Sequence, residues 1–417
     1  MNRSKLYIIF PILLFVLAFR FWFYYHSQPE YQDGQDVSFE TTLLSEPQIV
    51  GNQQRISANL DSGDRIFITT SLYPQFHYAD TLLIDGILKQ RRLENGSIIL
   101  TMVYPKIKII EDNKNLFLSI SSLIRQKSIA LFEKTLSPTS SGLLLGIVFG
   151  VKESLPSDFS DSLRISGVFH VVAASGMNVT MVGGFLGSLF GWFFKRQIAI
   201  LLSCAGICLY AVLTGLDPPI VRASIMGILV FTARISGRQS LSLYGLFLAG
   251  FTMLIWLPSL IFDIGFQLSF IATLGLLYIQ PILEQGRNFK KLVNNSILGE
   301  GVVTTIVAQA ATLPILLSNF GIYSLWSIAA NGLVLWTIPT LMVIGGMSAI
   351  FGIILPSLGQ LVLYLCLPFL LYFERVIMFF GNMQGAFRIE EVPWQFGIGY
   401  YLLLCAVVLF FSRKKKA

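Results

Sequence analysis

The segment from Gly142 to Asn178 reads GLLLGIVFGVKESLPSDFSDSLRISGVFHVVAASGMN, two apolar runs around a polar loop. The second run is apolar enough for lipid but contains three polar side chains, those of His170, Ser175 and Asn178. Because polar groups are costly in a bilayer, they face other protein or a water-filled path. The Ser175-Gly176 pair also weakens the helix in its middle, and broken helices at membrane depth occur only where they line a cavity or are buried in protein. The segment therefore predicts the polar centre of a membrane passage.

The composition of the whole chain is that of a membrane protein. Of 417 residues, 54% are hydrophobic and only 13% are charged, whereas about a quarter are charged in a typical globular domain. We expect a polytopic α-helical membrane protein with about ten transmembrane helices, some of them broken or re-entrant. The net charge of +7 does not by itself indicate nucleic acid, since Lys and Arg collect in cytoplasmic loops as topology signals.

The chain divides into segments with different patterns. Residues 1–34 contain one long apolar run, which predicts an uncleaved transmembrane anchor. Residues 35–115 contain short alternating runs separated by turn residues, which predict an OB-like β-barrel inserted after the first helix. Residues 116–137 have a helical period with interspersed basic residues, typical of an amphipathic helix at the membrane interface. Residues 138–417 form the multi-spanning body.

The basic residues in the loops of this body fall on one side of the predicted membrane. If the N-terminus lies in the cytoplasm, alternate crossings place there all the basic loop clusters: Lys195-Arg196, Arg234 with Arg238, Arg287 with Lys290 and Lys291, and Arg413 to Lys416. Such a distribution is the positive-inside pattern. It predicts that both termini are cytoplasmic and that the β-barrel is extracytoplasmic.

Further polar groups lie within the apolar runs or at their ends. With the three named above they form the predicted channel-lining set: Arg164, His170, Ser175, Asn178, Asp217, Arg222, Asp263, Gln267, Gln309 and Asn331. Asp263 and Gln267 are four residues apart, which would put them on one helix face. A structural ion pair of Arg222 with Asp217 or Asp263 is the alternative to a lining role, because intramembrane charge is seldom unpaired.

The β-barrel segment gives a weaker indication of DNA binding. OB-type barrels bind single strands through basic grooves and stacked aromatic side chains. Lys89, Arg91 and Arg92 follow a group of aromatic residues and form the candidate DNA-binding patch. Acidic residues nevertheless outnumber basic ones over the whole segment, so a structural cap on the membrane domain is an equal alternative.

Several longer motifs occur in a fixed order along the chain. They are GLLLG at Gly142–Gly146, GVFHVVAASGM at Gly167–Met177, Asp217-Pro218-Pro219 with Arg222-Ala223, LPSLIFDIGFQLSFIA at Leu257–Ala272, AQAATLP at Ala308–Pro314 and ANGL at Ala330–Leu333. In these motifs the chain resembles the ComEC family of competence-type DNA-uptake channels. The resemblance implies a channel in the bacterial cytoplasmic (inner) membrane that passes single-stranded DNA into the cytoplasm during natural transformation. It also implies a DNA-receptor protein outside, a separate nuclease and a cytoplasmic helicase-like motor as partners, besides the lipid bilayer.

The chain departs from the family pattern in two places. Many members have a His after Ser-Gly-Leu, whereas here Asn178 follows Met177, so a polar side chain is kept but its protonation is not. Many members also end in a metallo-β-lactamase-like domain, and this chain ends at Ala417. With three His residues and no H-x-H-x-D-H cluster, we expect no cofactor, no metal site and no catalytic residue in this polypeptide.

Two other functions compete with DNA uptake. A small-solute transporter built on broken helices would use the same polar centre. An intramembrane serine hydrolase would use Ser175 as nucleophile and His170 as base. These two residues are five apart and would not share a face of a continuous helix, which argues against the hydrolase.

Overall fold

The computed structural model describes residues 3–27, 31–60, 63–92, 98–110, 116–172, 175–235, 242–283, 297–383, 386–388 and 394–414. These residues form two compact units. The first, here called the sheet unit, comprises Met1–Ser119 and Tyr244–Asp263, and the second, the helical unit, comprises Ile120–Leu243 and Ile264–Ala417. Of the predicted cytoplasmic basic clusters, Arg238, Arg287, Lys290, Lys291, Lys415 and Lys416 lie outside the described residues.

The sheet unit is built on a seven-stranded sheet. Its strands are β1 (Asp36–Thr42), β2 (Gln48–Val50), β3 (Gln53–Asn59), β4 (Arg65–Ser71), β5 (Thr81–Arg92), β6 (Ile98–Val103) and β7 (Lys106–Ile109). The strand order is β1-β5-β6-β4-β3-β2, and β7 also pairs with β5. The predicted strands are all present, and β2 is an addition. Closure into a barrel is not confirmed, because the ladder ends at β1 and β2 within the described residues.

Strict alternation of side chains explains why these segments form strands. In β1 and β4 every second side chain is buried, so one face of the sheet encloses a core that includes Phe39, Ile66 and Leu82. The other face of the sheet is exposed to solvent. This two-faced pattern is the period-2 signal of a half-buried antiparallel strand.

The sheet unit also contains three helical segments. They are α1 (Arg3–Ser27), α9 (Ser242–Trp256) and a 3₁₀ helix (Pro258–Phe262). Arg20 Nε donates a hydrogen bond of 3.0 Å to the Ile255 carbonyl, which ties α1 to the end of α9. The predicted anchor is therefore a helix held against a second apolar helix.

The helical unit contains the remaining helices. They are α2 (Leu116–Thr135), α3 (Pro138–Phe149), α4 (Ser157–Ile165), α5 (Phe169–Val172), α6 (Gly176–Phe193), α7 (Arg196–Leu213), α8 (Pro218–Ile235), α10 (Ile264–Tyr278), α11 (Gln280–Leu283), α12 (Ile297–Phe320), α13 (Ser327–Val334), α14 (Thr337–Ile354), α15 (Pro356–Tyr364), α16 (Leu367–Gly381) and α17 (Trp394–Lys414). Strands β8 (Ile322–Ser324) and β9 (Ala386–Arg388) pair with each other.

Helix α3 is the centre of the core of this unit. Its ten residues from Ser140 to Phe149 are all buried, and it packs against α14 and α16. Ser137 caps its N-terminus, and Gly150 ends it in the left-handed conformation, with φ of 73°, that glycine adopts at no steric cost. A helix that is apolar on every side is expected to be buried on every side.

Two long apolar runs predicted as single helices are split. The run from Ser324 to Leu355 forms α13 and α14, and Pro339 occupies the first turn of α14. The next run forms α15 and α16, which are bent by 50°, with Pro368 at the start of α16. Proline lacks the N–H that would continue the preceding helix, so a helix ends before it and a new one begins with it.

The number of membrane crossings is smaller by length than the predicted ten. Among the described residues, five helices are long and apolar enough to cross: Phe169–Phe193, Arg196–Leu213, Ile264–Leu283, Val302–Asn319 and Thr337–Ile354. A sixth is counted if the bent pair α15 and α16 is one span. Other apolar helices, including α8 and α9, are shorter. A helix of about 16 residues is about 24 Å long, short of the ~30 Å hydrocarbon core. The protein is multi-pass, but the count of ten is not confirmed.

Candidate functional site

Two glycines of α3 allow neighbouring segments of the chain to pack directly against this helix. A Cβ added to Gly142 would lie 2.7 Å from the Ser154 carbonyl oxygen, and one added to Gly146 would lie 2.2 Å from Val172 Cγ1. The loop after α3 and the short helix α5 therefore lie directly against the α3 backbone. The GLLLG motif is thus explained by close packing of backbone segments.

The chain is interrupted between α5 and α6, as the Ser175-Gly176 pair predicts. Ser175 has extended backbone angles (φ −117°, ψ 169°), and α6 begins at Gly176. Ser175 Oγ donates to Asn178 Oδ1 at 3.3 Å, and Asn178 Nδ2 donates to the Ile147 carbonyl at 2.9 Å. Asn178 is only 1% exposed. Its amide therefore fastens the start of α6 to α3.

His170 and Ser175 do not form a nucleophile and base pair here. Within the described part of the chain no hydrogen bond joins them, and the Ser175 hydroxyl is directed to Asn178. His170 is exposed on α5, whereas Ser175 is partly buried. The arrangement lacks the contact that activates a serine.

Arg222 connects three helices at the centre. From α8 it donates hydrogen bonds to the Ser269 carbonyl and the Thr273 hydroxyl of α10. Its guanidinium carbon lies 5.7 Å from the centre of the Phe270 ring. A Cβ on Gly176, the first residue of α6, would lie 3.4 Å from Arg222 Nη2. The cation thus lies beside the N-terminus of the broken helix.

Asp217 is paired with a residue that the sequence did not suggest. Lys152 Nζ lies 3.3 Å from Asp217 Oδ2, so the predicted ion pair between Asp217 and Arg222 is wrong. Lys152 belongs to the loop that packs against α3 at Gly142. The tertiary fold therefore brings Lys152 close to Asp217. The pair joins that loop to the turn before α8.

Arg125 also differs from its prediction. In the amphipathic α2 it was expected at the membrane interface, but it is 2% exposed and donates to the Leu213 carbonyl at 3.1 Å. Arginine is rarely buried without a partner. The Arg125 side chain therefore links α2 to the end of α7.

Gln309 and Asn331 belong to one hydrogen-bonded cluster with Ser327. Gln309 Nε2 donates to Ser327 Oγ, and Asn331 Nδ2 donates to the Ser327 carbonyl at 2.8 Å. Ser327 Oγ in turn donates to the Gly167 carbonyl at 3.2 Å. Gly167 has φ of +72°, and a Cβ there would lie 2.6 Å from Ser327. Ser327 was not among the predicted lining residues, although it precedes Asn331 by one helical turn.

The remaining predicted lining residues belong to α4, α10 and the segment before α10. Arg164 is exposed at the end of α4, where it pairs with Asp161 at 3.7 Å and lies over the Phe169 ring. Gln267 is partly buried on α10. Asp263 belongs to the sheet unit and is extended after the 3₁₀ helix, because α10 begins only at Ile264. Asp263 thus lies immediately before the first residue of α10, and its shared face with Gln267 stays a prediction.

The sheet unit has a second candidate site on its solvent face. Apart from Gln90, the exposed residues of β3, β4, β6 and the second half of β5 share one parity in the strand register. Four of them are basic, and we call this surface the basic face: Arg55, Arg65, Lys89 and Arg91. No Asp or Glu shares this parity in these four described strand segments. Phe67, 44% exposed, lies among them, and Tyr104, 56% exposed, follows β6.

The register gives the spacing of the basic face. Phe67 pairs with Thr101 of β6, and Thr101 pairs with Lys89 of β5, so Phe67 and Lys89 are two strands apart, or about 10 Å. Arg55 pairs with Thr69, beside Phe67 in the strand direction. Arg92 has the opposite parity to Lys89 and Arg91, and its side chain lies outside the described residues.

Acidic residues lie on the other half of the sheet. Around β1, β7 and the first half of β5, three acids, Asp36, Glu40 and partly exposed Asp85, share this face with Lys106 and Lys108. The excess of acid over base in the whole segment therefore conceals two surfaces of different charge. A count of charges along the sequence does not show this segregation, but strand parity does.

The described residues offer no group for a metal ion. Within them, no cluster of three or more His, Cys, Asp or Glu side chains is placed to bind one.

Comparison with known proteins places the helical body in a family. A profile of the competence protein family matches residues 147–414, which is more than half of the chain. The chain belongs to the competence protein family. The resemblance to ComEC is therefore confirmed for the body, and the match begins after the sheet.

Curated relatives agree with this assignment. ComE operon protein 3 of Bacillus subtilis (strain 168) is 27% identical over 237 residues, which are 57% of this chain and 29% of that protein. An uncharacterized protein of Aquifex aeolicus (strain VF5) is 31% identical over 151 residues, 36% of each chain. The uncharacterized YcaI of Escherichia coli (strain K12) is 29% identical over 128 residues, 28% of this chain and 17% of that protein. The chain thus spans less than two fifths of each of these relatives. No solved structure matches it.

Proposed function

We propose that this competence-family chain is a membrane channel that takes up single-stranded DNA into the cytoplasm during natural transformation. The observation that supports DNA as the transported molecule is the basic face. Four cations without acidic neighbours of the same parity, together with exposed Phe67 and Tyr104, supply the two contacts that sequence-independent binding of a single strand uses. These contacts are charge pairing with phosphates and stacking on bases.

The polar centre of the helical unit suits the passage of a phosphate. Arg222 lies beside the N-terminus of α6, and helix N-termini are electropositive. Two positive groups side by side repel each other unless an anion lies between them. Broken helices use this arrangement for anionic substrates within membranes. A single such site would hold a passing phosphate weakly enough for release.

We infer the fold type of the sheet unit, the orientation in the membrane and the partners from the family and from the distribution of charged residues. The sheet unit is an OB-like module, since such barrels are partly open Greek keys. It lies outside the cytoplasmic membrane, and both termini lie in the cytoplasm, because the loop cations then all face inward. About ten crossings follow if the shorter apolar helices also cross. A DNA receptor, a separate nuclease and a helicase-like motor complete the pathway.

A small-solute transporter is the second candidate, because the break between α5 and α6 also suits one. Flux into liposomes distinguishes the two. The full chain is reconstituted, and uptake of a labelled single-stranded oligonucleotide is compared with uptake of labelled amino acids and sugars. Oligonucleotide flux without solute flux supports the proposal, and the reverse result overturns it.

A genetic assay tests the same function in the cell. The gene is deleted in the bacterium from which it comes, under conditions of natural transformation. Transformation frequency is then measured with and without the gene restored on a plasmid. We expect transformants to fall to background and to return with the restored gene. Unchanged transformation in the deletion strain removes DNA uptake as the function.

A further inference from the structure

The helical unit has a groove of about 540 Å³ away from the polar centre. It lies between α13 and α16, and its lining includes Leu333, Pro368, Leu371, Tyr372, Arg375 and Phe379. The groove is apolar apart from the guanidinium of Arg375 and the hydroxyl of Tyr372. Its volume is within the range of sites that bind small molecules.

Arg375 has no protein partner for its charge in the described residues. It is exposed on α16 and forms no ion pair or side-chain hydrogen bond there. The neighbouring acid, Glu374, is engaged by the Ser140 hydroxyl of α3. A cation on an apolar helix is costly unless an anion or water compensates it. Among the described residues, the Arg375 charge is therefore open to an anion that is not part of them.

Position along the helix suggests where this anion lies. Arg375 is six residues from the end of α16 at Gly381, about 9 Å along the axis, within reach of the interface for a long arginine side chain. The Arg375 guanidinium can therefore extend to headgroup depth.

Tyr372 fixes the walls of the groove. Its hydroxyl donates to the Leu333 carbonyl at 3.1 Å, which links α16 to α13 across the groove. Phe379 is 58% exposed and Leu371 is 45% exposed on the same helix. The groove therefore combines a fixed apolar lining with one cation.

We propose that this groove is a binding site for one anionic phospholipid. The phosphate pairs with Arg375, and an acyl chain lies along Leu371 and Pro368, on the side away from the end of α16 at Gly381. A basic residue at the mouth of an apolar cleft between membrane helices is the arrangement that recognises anionic headgroups. A neutral helix of a partner protein would leave the Arg375 charge uncompensated, and for this reason we favour lipid. This proposal is independent of DNA uptake, since it uses none of the residues of the polar centre or the basic face.

Native mass spectrometry of the full chain in detergent tests the site. Phosphatidylglycerol and phosphatidylcholine with identical chains are titrated separately onto delipidated protein, with diacylglycerol as a third probe that lacks the phosphate. We expect the first phosphatidylglycerol to bind roughly fivefold more tightly than phosphatidylcholine or diacylglycerol, the preference that one membrane-surface cation supplies. Arg375→Gln should lose this preference, and Lys195→Gln, which removes an exposed charge elsewhere, should keep it.

Two results would overturn the site. One is equal affinity of the unmodified chain for the three probes, a measurement that does not depend on the folding of any variant. The other is an undiminished preference in Arg375→Gln. Formation of a dimer in place of lipid binding, seen in the same spectra, would assign the groove to a second copy of the chain and would also overturn the proposal.

Discussion

The polar centre and the basic face both present arginine, but in opposite surroundings. Arg222 is a single, partly buried cation whose partners are a carbonyl, a hydroxyl and an aromatic ring of α10. The four cations of the basic face are separate and exposed. Electrostatic interactions are strong where water is excluded and are screened by salt where it is not. The two regions should therefore respond differently to the loss of one charge.

Under the proposed uptake of single-stranded DNA, this difference would separate two ways of handling one polymer. A desolvated cation can discriminate charge at one point along the path, and its loss affects every passing phosphate. A solvated group of cations gathers DNA through many weak contacts, so the loss of one weakens binding without abolishing it. The first surface should show large effects that depend little on salt, and the second should show small effects that depend strongly on salt.

The largest effect is expected from Arg222→Gln. It removes charge-assisted hydrogen bonds worth about 1.5–3 kcal/mol each, so oligonucleotide flux into liposomes should fall roughly tenfold or more. Arg222→Lys should restore only part of the flux, because an ammonium does not reproduce the planar guanidinium contacts to Ser269 and Thr273. Lys195→Gln is the control for loss of one charge. A flux in Arg222→Gln equal to that of the control would remove the special role of the polar centre.

Gly142→Ala should destabilise the polar centre without touching any charge. The new methyl group would meet the Ser154 carbonyl at 2.7 Å, and backbone cannot move aside as a flexible side chain can. We expect a loss of about 1–3 kcal/mol, measured as a lower unfolding temperature of the purified chain in detergent. Gly184→Ala is the matched control, since nothing lies within 4 Å of its added Cβ. Equal unfolding temperatures for the two variants would show that the α3 packing is not as close as described.

Substitutions on the basic face should give smaller effects that grow at low salt. Lys89→Gln and Arg91→Gln should each weaken binding of a single-stranded oligonucleotide to the purified chain a few-fold. Each should also reduce the slope of log affinity against log salt by about 0.7, the value for one phosphate contact on a single strand. Lys106→Gln, on the half of the sheet where acidic side chains outnumber basic ones, is the control. The same slope change in this control would show that the charge segregation has no role in binding.

The smallest effect concerns the loop that lies on α3. Burial raises the pKa of Glu153 above its ordinary value, although Arg125 and Lys152 act in the opposite direction. The folded state then holds this proton more tightly than the unfolded state, so stability is lost as pH rises through the window above the ordinary carboxyl pKa. In Glu153→Gln this pH-dependent loss should disappear from unfolding measured between pH 4 and 8.

The control for this pH effect is Asp161→Asn, an exposed acid paired with Arg164. It should leave the pH profile of unfolding unchanged. Identical profiles for Glu153→Gln and the unmodified chain would mean that Glu153 is solvated in the folded protein.

Much of the architecture was predictable, because it depends on local periodicity. Apolar runs gave the helices, alternation gave the strands, and Ser175-Gly176 gave the break before α6. The family motifs predicted the competence assignment that residues 147–414 confirm. Errors arose where one local rule was extended too far. Long apolar runs concealed breaks at Pro339 and Pro368.

The sequence by itself determined which residues are apolar, where the chain turns and which motifs it shares with its family, since these properties depend on neighbours along the chain. Only the tertiary structure decided which polar groups meet. It paired Asp217 with Lys152, buried Arg125 against α7, and placed Arg222 beside Gly176. It also separated the charges of the sheet, because strand parity and register, rather than totals, determine which side chains share a surface. Contacts between residues far apart in the chain depend on how helices and strands pack, and local sequence does not encode that packing in a form that can be read directly.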